Sequence, residues 1–137
     1  MKILKISLLT LSLGLMSFST ININSNTFFK IKTLEALNWK NELVDVGSIP
    51  QGTPKLIVFE FKNTSDKSVS ITNVKPACGC TATDYTKDAI APGKLGYVKA
   101  TFNAGVVGAF TKTVTVTTTA DETPKVLTFK GSVEAKQ

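Results

Sequence analysis

Cys78 and Cys80 are the only thiol-bearing residues of the 137-residue chain, and Gly79 alone separates them. Two sulfurs at this spacing suit several chemistries. In an oxidising compartment they pair with each other as a local disulfide. Closing so short a loop stabilises by only about 1.6 kcal/mol on the chain-entropy formula, which makes the ring a weak staple and a labile bond. In a straight strand, residues two apart sit near the outer limit of disulfide Cα separation. The chain must therefore bend here, and Gly79 supplies the freedom. As thiolates the pair could instead hold Cu(I) two-coordinately. Zinc would want four ligands, with Asp84 and Asp88 the nearest further candidates. Exchange with a partner's thiols is another use: Lys75 could lower a thiol pKa, although there is no histidine and no Cys-x-x-Cys helix motif to help. Buried free thiols at a strand bend would do no chemistry at all.

The rest of the composition removes whole classes of activity. The chain has no histidine, so neither a Ser-His-Asp nor a Cys-His arrangement can form, and no histidine can ligate a metal. Its 10 carboxylates are scattered, mostly beside turn residues or lysines. A domain this small leaves little room for a substrate cleft between a catalytic pair. The formal charge of +6 comes from lysines alone, spread along the chain. No arginine is present to fork onto guanine edges or phosphates, and no basic block is interleaved with aromatics. Neither an enzyme nor a nucleic-acid binder is expected, and no cofactor is assigned.

The first nineteen residues read as a signal peptide, 1–19. Lys2 and Lys5 form a positive start, Ile6 to Phe18 is an apolar stretch, and Ser17 and Ser19 offer small residues before a cleavage point at Thr20. The apolar run is too short to span a bilayer comfortably, which takes roughly 20 residues. No cysteine stands at the cleavage point to take a lipid. Export to the periplasm or the extracellular space follows, with no transmembrane segment in the mature chain. Residues 20–36 form a leader and first element, polar over Thr20–Thr27 and ambiguous between strand and helical turn over Phe28–Leu37. The remaining residues, 37–137, make one domain.

Within that domain the periodicity is that of strands. Ile57, Phe59 and Phe61 alternate with Val58, Glu60 and Lys62. Val69 and Ile71 begin a second run to Val74, where the alternation breaks and a bulge or bend is expected just before the cysteines. Thr81 to Ala89 is short and polar. Val98, Ala100 and Phe102 mark another strand, Val114 and Val116 sit among threonines in the next, and Leu127, Phe129, Gly131 and Val133 share one face of the last. Turn signals such as Pro92-Gly93 and Asp121-Glu122-Thr123-Pro124 separate the runs. This spacing indicates an all-β antiparallel sandwich, with a small closed barrel as the other arrangement. The aromatic residues Phe59, Phe61, Phe102 and Phe129 are expected in its core. The threonine-rich run Thr111–Thr119 is expected on a solvated face rather than at an edge open to another strand.

Several of these segments, taken in order, resemble the domain-of-unknown-function 1573 family. They are Trp39-Lys40, Asp45–Gly52, Phe59–Thr64, Cys78-Gly79-Cys80-Thr81, Pro92-Gly93, Gly108-Ala109-Phe110-Thr111-Lys112 and Gly131. The resemblance covers about Leu37 to Val133. It implies an exported bacterial protein with an immunoglobulin-like β-sandwich, and it implies no activity. The family's Asp-Phe-Gly is Asp45-Val46-Gly47 here, and its Asn-Thr-Gly turn is Asn63-Thr64-Ser65; both read as packing or turn variants. The expected function is a non-catalytic binding or structural module of the cell envelope, contacting a protein or another envelope component. The alternative is a Cys78/Cys80 site for Cu(I) or for thiol–disulfide exchange.

Overall fold

Strand-forming alternation runs through most of the chain, and the computed structural model, which describes residues 35–137, turns it into eight strands. They are β1 (Leu37–Trp39), β2 (Leu43–Pro50), β3 (Lys55–Asn63), β4 (Ile71–Pro76), β5 (Thr81–Tyr85), β6 (Leu95–Phe102), β7 (Gly108–Thr118) and β8 (Lys125–Glu134). No helix occurs among the described residues. The expected signal peptide and most of the expected leader lie outside them.

Two four-stranded sheets form, one in the order β1-β3-β6-β5 and the other β2-β8-β7-β4. Their inner faces carry the alternating apolar residues. Ile57, Phe59 and Phe61 of β3 and Val98, Ala100 and Phe102 of β6 meet Val114 and Val116 of β7 and Leu127, Phe129 and Val133 of β8, all buried. The four phenylalanines expected in the core are there. Thr113, Thr115 and Thr117 alternate with the buried valines and face outward, so the threonine run is a sheet surface.

Two features differ from the expectation. First, β2 pairs with β8 in parallel, although every other strand pair is antiparallel. The chain crosses from β1 in one sheet to β2 in the other and runs beside the last strand, so no hairpin reverses its direction. A bulge between Asp45 and Ser48 fits this strand to its neighbour. Gly47 there has φ +65°, and its N–H donates to Asp45 Oδ1 at 2.9 Å. Gly131 on β8 permits the approach, since a Cβ at that position would stand 2.5 Å from the Gly47 carbonyl oxygen.

Second, the short polar stretch after the cysteines, where the periodicity marks no strand, carries one. Thr81–Tyr85 forms β5 and pairs with β6, with Asp84 opposite Lys99 on the outer face. Its inward positions are Thr81, Thr83 and Tyr85, which hide a strand from a hydrophobic-pattern reading. The bend expected before the cysteines is present as a register shift in β4 between Ile71 and Asn73.

One buried polar side chain fixes the turns at one end of the sandwich. Asn63, at the end of β3, is fully buried. Its Nδ2 donates to the Lys67 carbonyl at 2.7 Å and the Ile90 carbonyl at 2.8 Å. Its Oδ1 accepts from the Ser65 N–H at 3.0 Å and the Ser65 hydroxyl at 2.7 Å. Each donor and acceptor of the amide is thus used. At the same end Lys125 reaches Glu35 and Glu42. Burial alone would lower the Lys125 pKa, but hydrogen bonding to Glu42 and the charges of Glu42 and Glu35 outweigh it and hold the ammonium above its ordinary value.

Replacing Asn63 with Ala should cost about 3 kcal/mol, because four hydrogen bonds, two to carbonyls and two from Ser65, are lost at once. Asn63→Asp should cost more at neutral pH, since its carboxylate would face two carbonyl oxygens. That deficit should shrink as pH falls toward the unfolded carboxyl's value near 4, where the neutral acid can donate to one carbonyl. Urea denaturation of both variants across pH checks the order and the trend.

Candidate functional site

The segment Ala77-Cys78-Gly79-Cys80 carries the chain from β4, at the edge of one sheet, to β5, at the edge of the other. The two sulfurs lie at disulfide-bonding distance, with Cα atoms 5.3 Å apart. Both cysteines are half-buried, and Cys80 packs against the core. The next residue, Thr81, is buried and faces both sulfurs. Its Oγ1 is 3.9 Å from Cys78 Sγ and 4.0 Å from Cys80 Sγ.

No group of three or more Cys, Asp, Glu or His that could hold a metal is present among the described residues. Asp84, considered above as a further zinc ligand, lies on the outer face of β5 and ion-pairs with Lys87 at 3.9 Å. Asp88 is exposed on the loop beyond. The structure does not bring either carboxylate to the sulfurs. Lys75, named above as a neighbour of the pair, is exposed on β4 opposite Thr115, on the outer face of its sheet.

The crossover has a second consequence, which the sequence did not disclose. β4 covers β7 only from Val114 to Thr118, and one further bond, from the Ala77 N–H to the Thr113 carbonyl at 3.0 Å, ends the pairing. β7, however, extends back to Gly108 and, among the described residues, is paired there only with β8. In an antiparallel ladder alternate residues point their backbone groups to opposite sides. Thr113, Thr115 and Thr117 point theirs toward β4, so Thr111 and Ala109 point theirs the same way, past the end of β4. The interior part of the threonine strand is paired on both sides; an open edge lies at its beginning.

A cleft of about 210 Å³ opens beside that edge, lined among others by Cys80, Phe102, Val106, Val107, Phe110 and Lys112. Its floor is aromatic. The ring centroids of Phe102 and Phe110 are 4.4 Å apart, and Phe129 stands 5.9 Å from Phe102 and 6.2 Å from Phe110. Lys112 falls on the inward side of β7 by alternation with Val114 and brings one positive charge to the cleft. Val106 is 82% exposed and Val107 49% exposed on the β6–β7 loop that forms the far wall.

That loop is held in place by several bonds. The Asn103 N–H donates to the Cys80 carbonyl at 3.1 Å, the Gly52 N–H to the Ala104 carbonyl at 2.9 Å, and Gln51 Nε2 to the Gly105 carbonyl at 3.1 Å. Ala104 is fully buried with φ +46°, a left-handed conformation that costs an L-residue roughly 1–2 kcal/mol. The surrounding bonds over-determine it, so the wall is preformed. Cys80 and Phe102 stand out in the sequence but the cleft does not; Gly105 and Gly108, which punctuate its wall, are the signal that could have marked it.

The two-sheet arrangement is that of an immunoglobulin-like β-sandwich, as comparison with solved structures shows. A protein of unknown function from Porphyromonas gingivalis W83 superposes with a TM-score of 0.63 at 11% identity, over 71% of this chain and 46% of that one. This chain therefore spans less than half the length of that protein. A PapD-like domain of human CEP192 gives 0.59 at 10% identity, over 75% and 88%. The Vibrio cholerae VesB protease gives 0.57 at 14% identity, over 72% of this chain but only 32% of the protease. Likeness at these identities is likeness of fold. No curated protein matches in sequence. The chain belongs to the family described as "Protein of unknown function (DUF1573)", which matches residues 37–133.

Replacing both cysteines with Ser should leave the sandwich intact and cost on the order of 1–2 kcal/mol, because the loop they close is so short. Chemical denaturation of the double variant checks this. A loss of 4 kcal/mol or more would mean that the link is a main support of the fold.

Proposed function

We propose that this chain is an exported, non-catalytic binding module of the bacterial cell envelope that holds an extended segment of a partner protein along the open edge of β7. The observation that carries the reading is the backbone at Ala109 and Thr111, which has no strand partner on that side among the described residues, beside a preformed apolar cleft. An added strand gains main-chain hydrogen bonds from such an edge and sends alternate side chains into the neighbouring hollow. Long open edges invite uncontrolled pairing, and natural sheets generally cover or blunt them. This one is short, three residues from Ala109 to Thr111, which suits selective use. The absence of histidine from the chain is consistent with a role in binding.

Export is supported by Lys2, Lys5 and the apolar run Ile6–Phe18. N-terminal sequencing of protein recovered outside the cytoplasm should begin within a few residues of Thr20; an intact Met1 on that material would contradict cleavage.

Binding is tested by selecting extended peptides against the mature chain and mapping the selected ones by NMR. Ligands should shift the signals of Ala109, Thr111 and Val107, and Val107→Asp should weaken them at least tenfold. Ligands that map to the outer sheet faces instead would overturn the edge as the site.

A further inference from the structure

The cleft brings an apolar recognition surface and a sulfur–sulfur bond into one place, and neither the fold nor the edge requires the second. Cys80 lines the same cleft as Phe110, Lys112 and Val107. A strand laid along Ala109–Thr111 would continue the line of β4, whose last pairing bond comes from Ala77, next to Cys78. Its end therefore runs to the disulfide. We propose that the segment bound at the β7 edge carries a cysteine, and that the Cys78–Cys80 disulfide exchanges with it. This rests on the edge-binding function above and names the chemistry of its partner.

The step balances without any further reagent. The incoming thiolate attacks Cys80 Sγ, the sulfur that lines the cleft, and forms a mixed disulfide. The Cys78–Cys80 bond breaks and its electron pair leaves on Cys78 Sγ as a thiolate. The partner's sulfur is oxidised and Cys78 is reduced. Where the partner carries a second thiol, its thiolate attacks the mixed disulfide. The partner then departs as a disulfide, leaving Cys78 and Cys80 as the reduced pair.

Two residues of the site fit this chemistry. Lys112 supplies a positive charge in the cleft, which favours the attacking sulfur as thiolate. Thr81 Oγ1, buried and 3.9 Å from Cys78 Sγ, can donate to the sulfur that leaves and so stabilise the thiolate. The three-residue ring contributes little to folding, so opening it leaves the domain folded.

The test uses the mature chain with the disulfide formed. It is mixed with a pool of eight-residue peptides, random except for one central cysteine, with the matching serine pool, and separately with 2-mercaptoethanol. The mixed disulfide should form on Cys80, as mass spectrometry of the digested adduct would show. Captured peptides should be enriched at least tenfold in members with an apolar residue two positions from the cysteine, on the face that enters the cleft. They should react at least tenfold faster per thiolate than 2-mercaptoethanol.

Thr81→Val should slow the reaction about tenfold and move the alkylation profile of the reduced protein to higher pH, a shift that lost packing alone would not produce. Capture without enrichment, reaction no faster than with 2-mercaptoethanol, or linkage to Cys78 would each overturn the proposal. If serine peptides occupy the β7 edge while cysteine peptides fail to react, exchange is wrong and edge binding stands. If no serine peptide binds and cysteine peptides react without selectivity, both are wrong.

Discussion

The constraint on which the functional surface depends is a mismatch of strand lengths. β7 runs for 11 residues, whereas β4, its neighbour, has 6. β4 stops because the chain must cross to the other sheet, and it crosses through Cys78-Gly79-Cys80. The partner strand that would have covered the start of β7 is spent on that crossing. Everything that follows at this end of the sandwich comes from it: the unpaired backbone at Ala109 and Thr111, the hollow over Phe102 and Phe110, and the sulfur pair at its margin. The β6–β7 loop then closes the far wall, tied to the crossover through the bond from Asn103 to the Cys80 carbonyl.

The opposite end is built on different terms. There the buried Asn63 amide gathers the turn after β3 and the chain around Ile90 through four hydrogen bonds. Between the two ends, interdigitated Phe, Val and Leu side chains from both sheets provide the hydrophobic drive. The turns at one end are thus tied by satisfied polar groups, and the other end carries a hollow over an aromatic floor.

Much of the architecture was legible because burial writes a period-two pattern into sequence. The inward residues of β3, β6, β7 and β8 could be named from alternation alone, and the bend before the cysteines from its failure at Ile71–Val74. β5 escaped notice because its inward face is Thr81, Thr83 and Tyr85, residues that also suit a loop. The parallel pairing of β2 with β8 depends on contacts between residues more than eighty apart in the chain, and no local pattern encodes it. Asn63 sits in a polar turn by composition, so nothing in the sequence shows that it is wholly buried.

The candidate site was half legible. Both cysteines stood out by type and spacing, and so did Gly108-Ala109-Phe110-Thr111-Lys112, as a stretch resembling a family. That these two stretches face each other across one cleft is a fact of topology. The threonine run drew attention to β7, but its open edge begins just before the residues that seemed most regular.

The central claim is that β7 is a formed strand whose first residues are bonded on one side only. Amide hydrogen exchange in the unbound mature protein measures this residue by residue. The Phe110 and Lys112 amides, directed at β8, should exchange slowly, while those of Ala109 and Thr111 should exchange at rates close to those of an unstructured chain. Equal protection of all four would mean that the edge is already covered, and equally fast exchange would mean that no strand exists there to receive a partner.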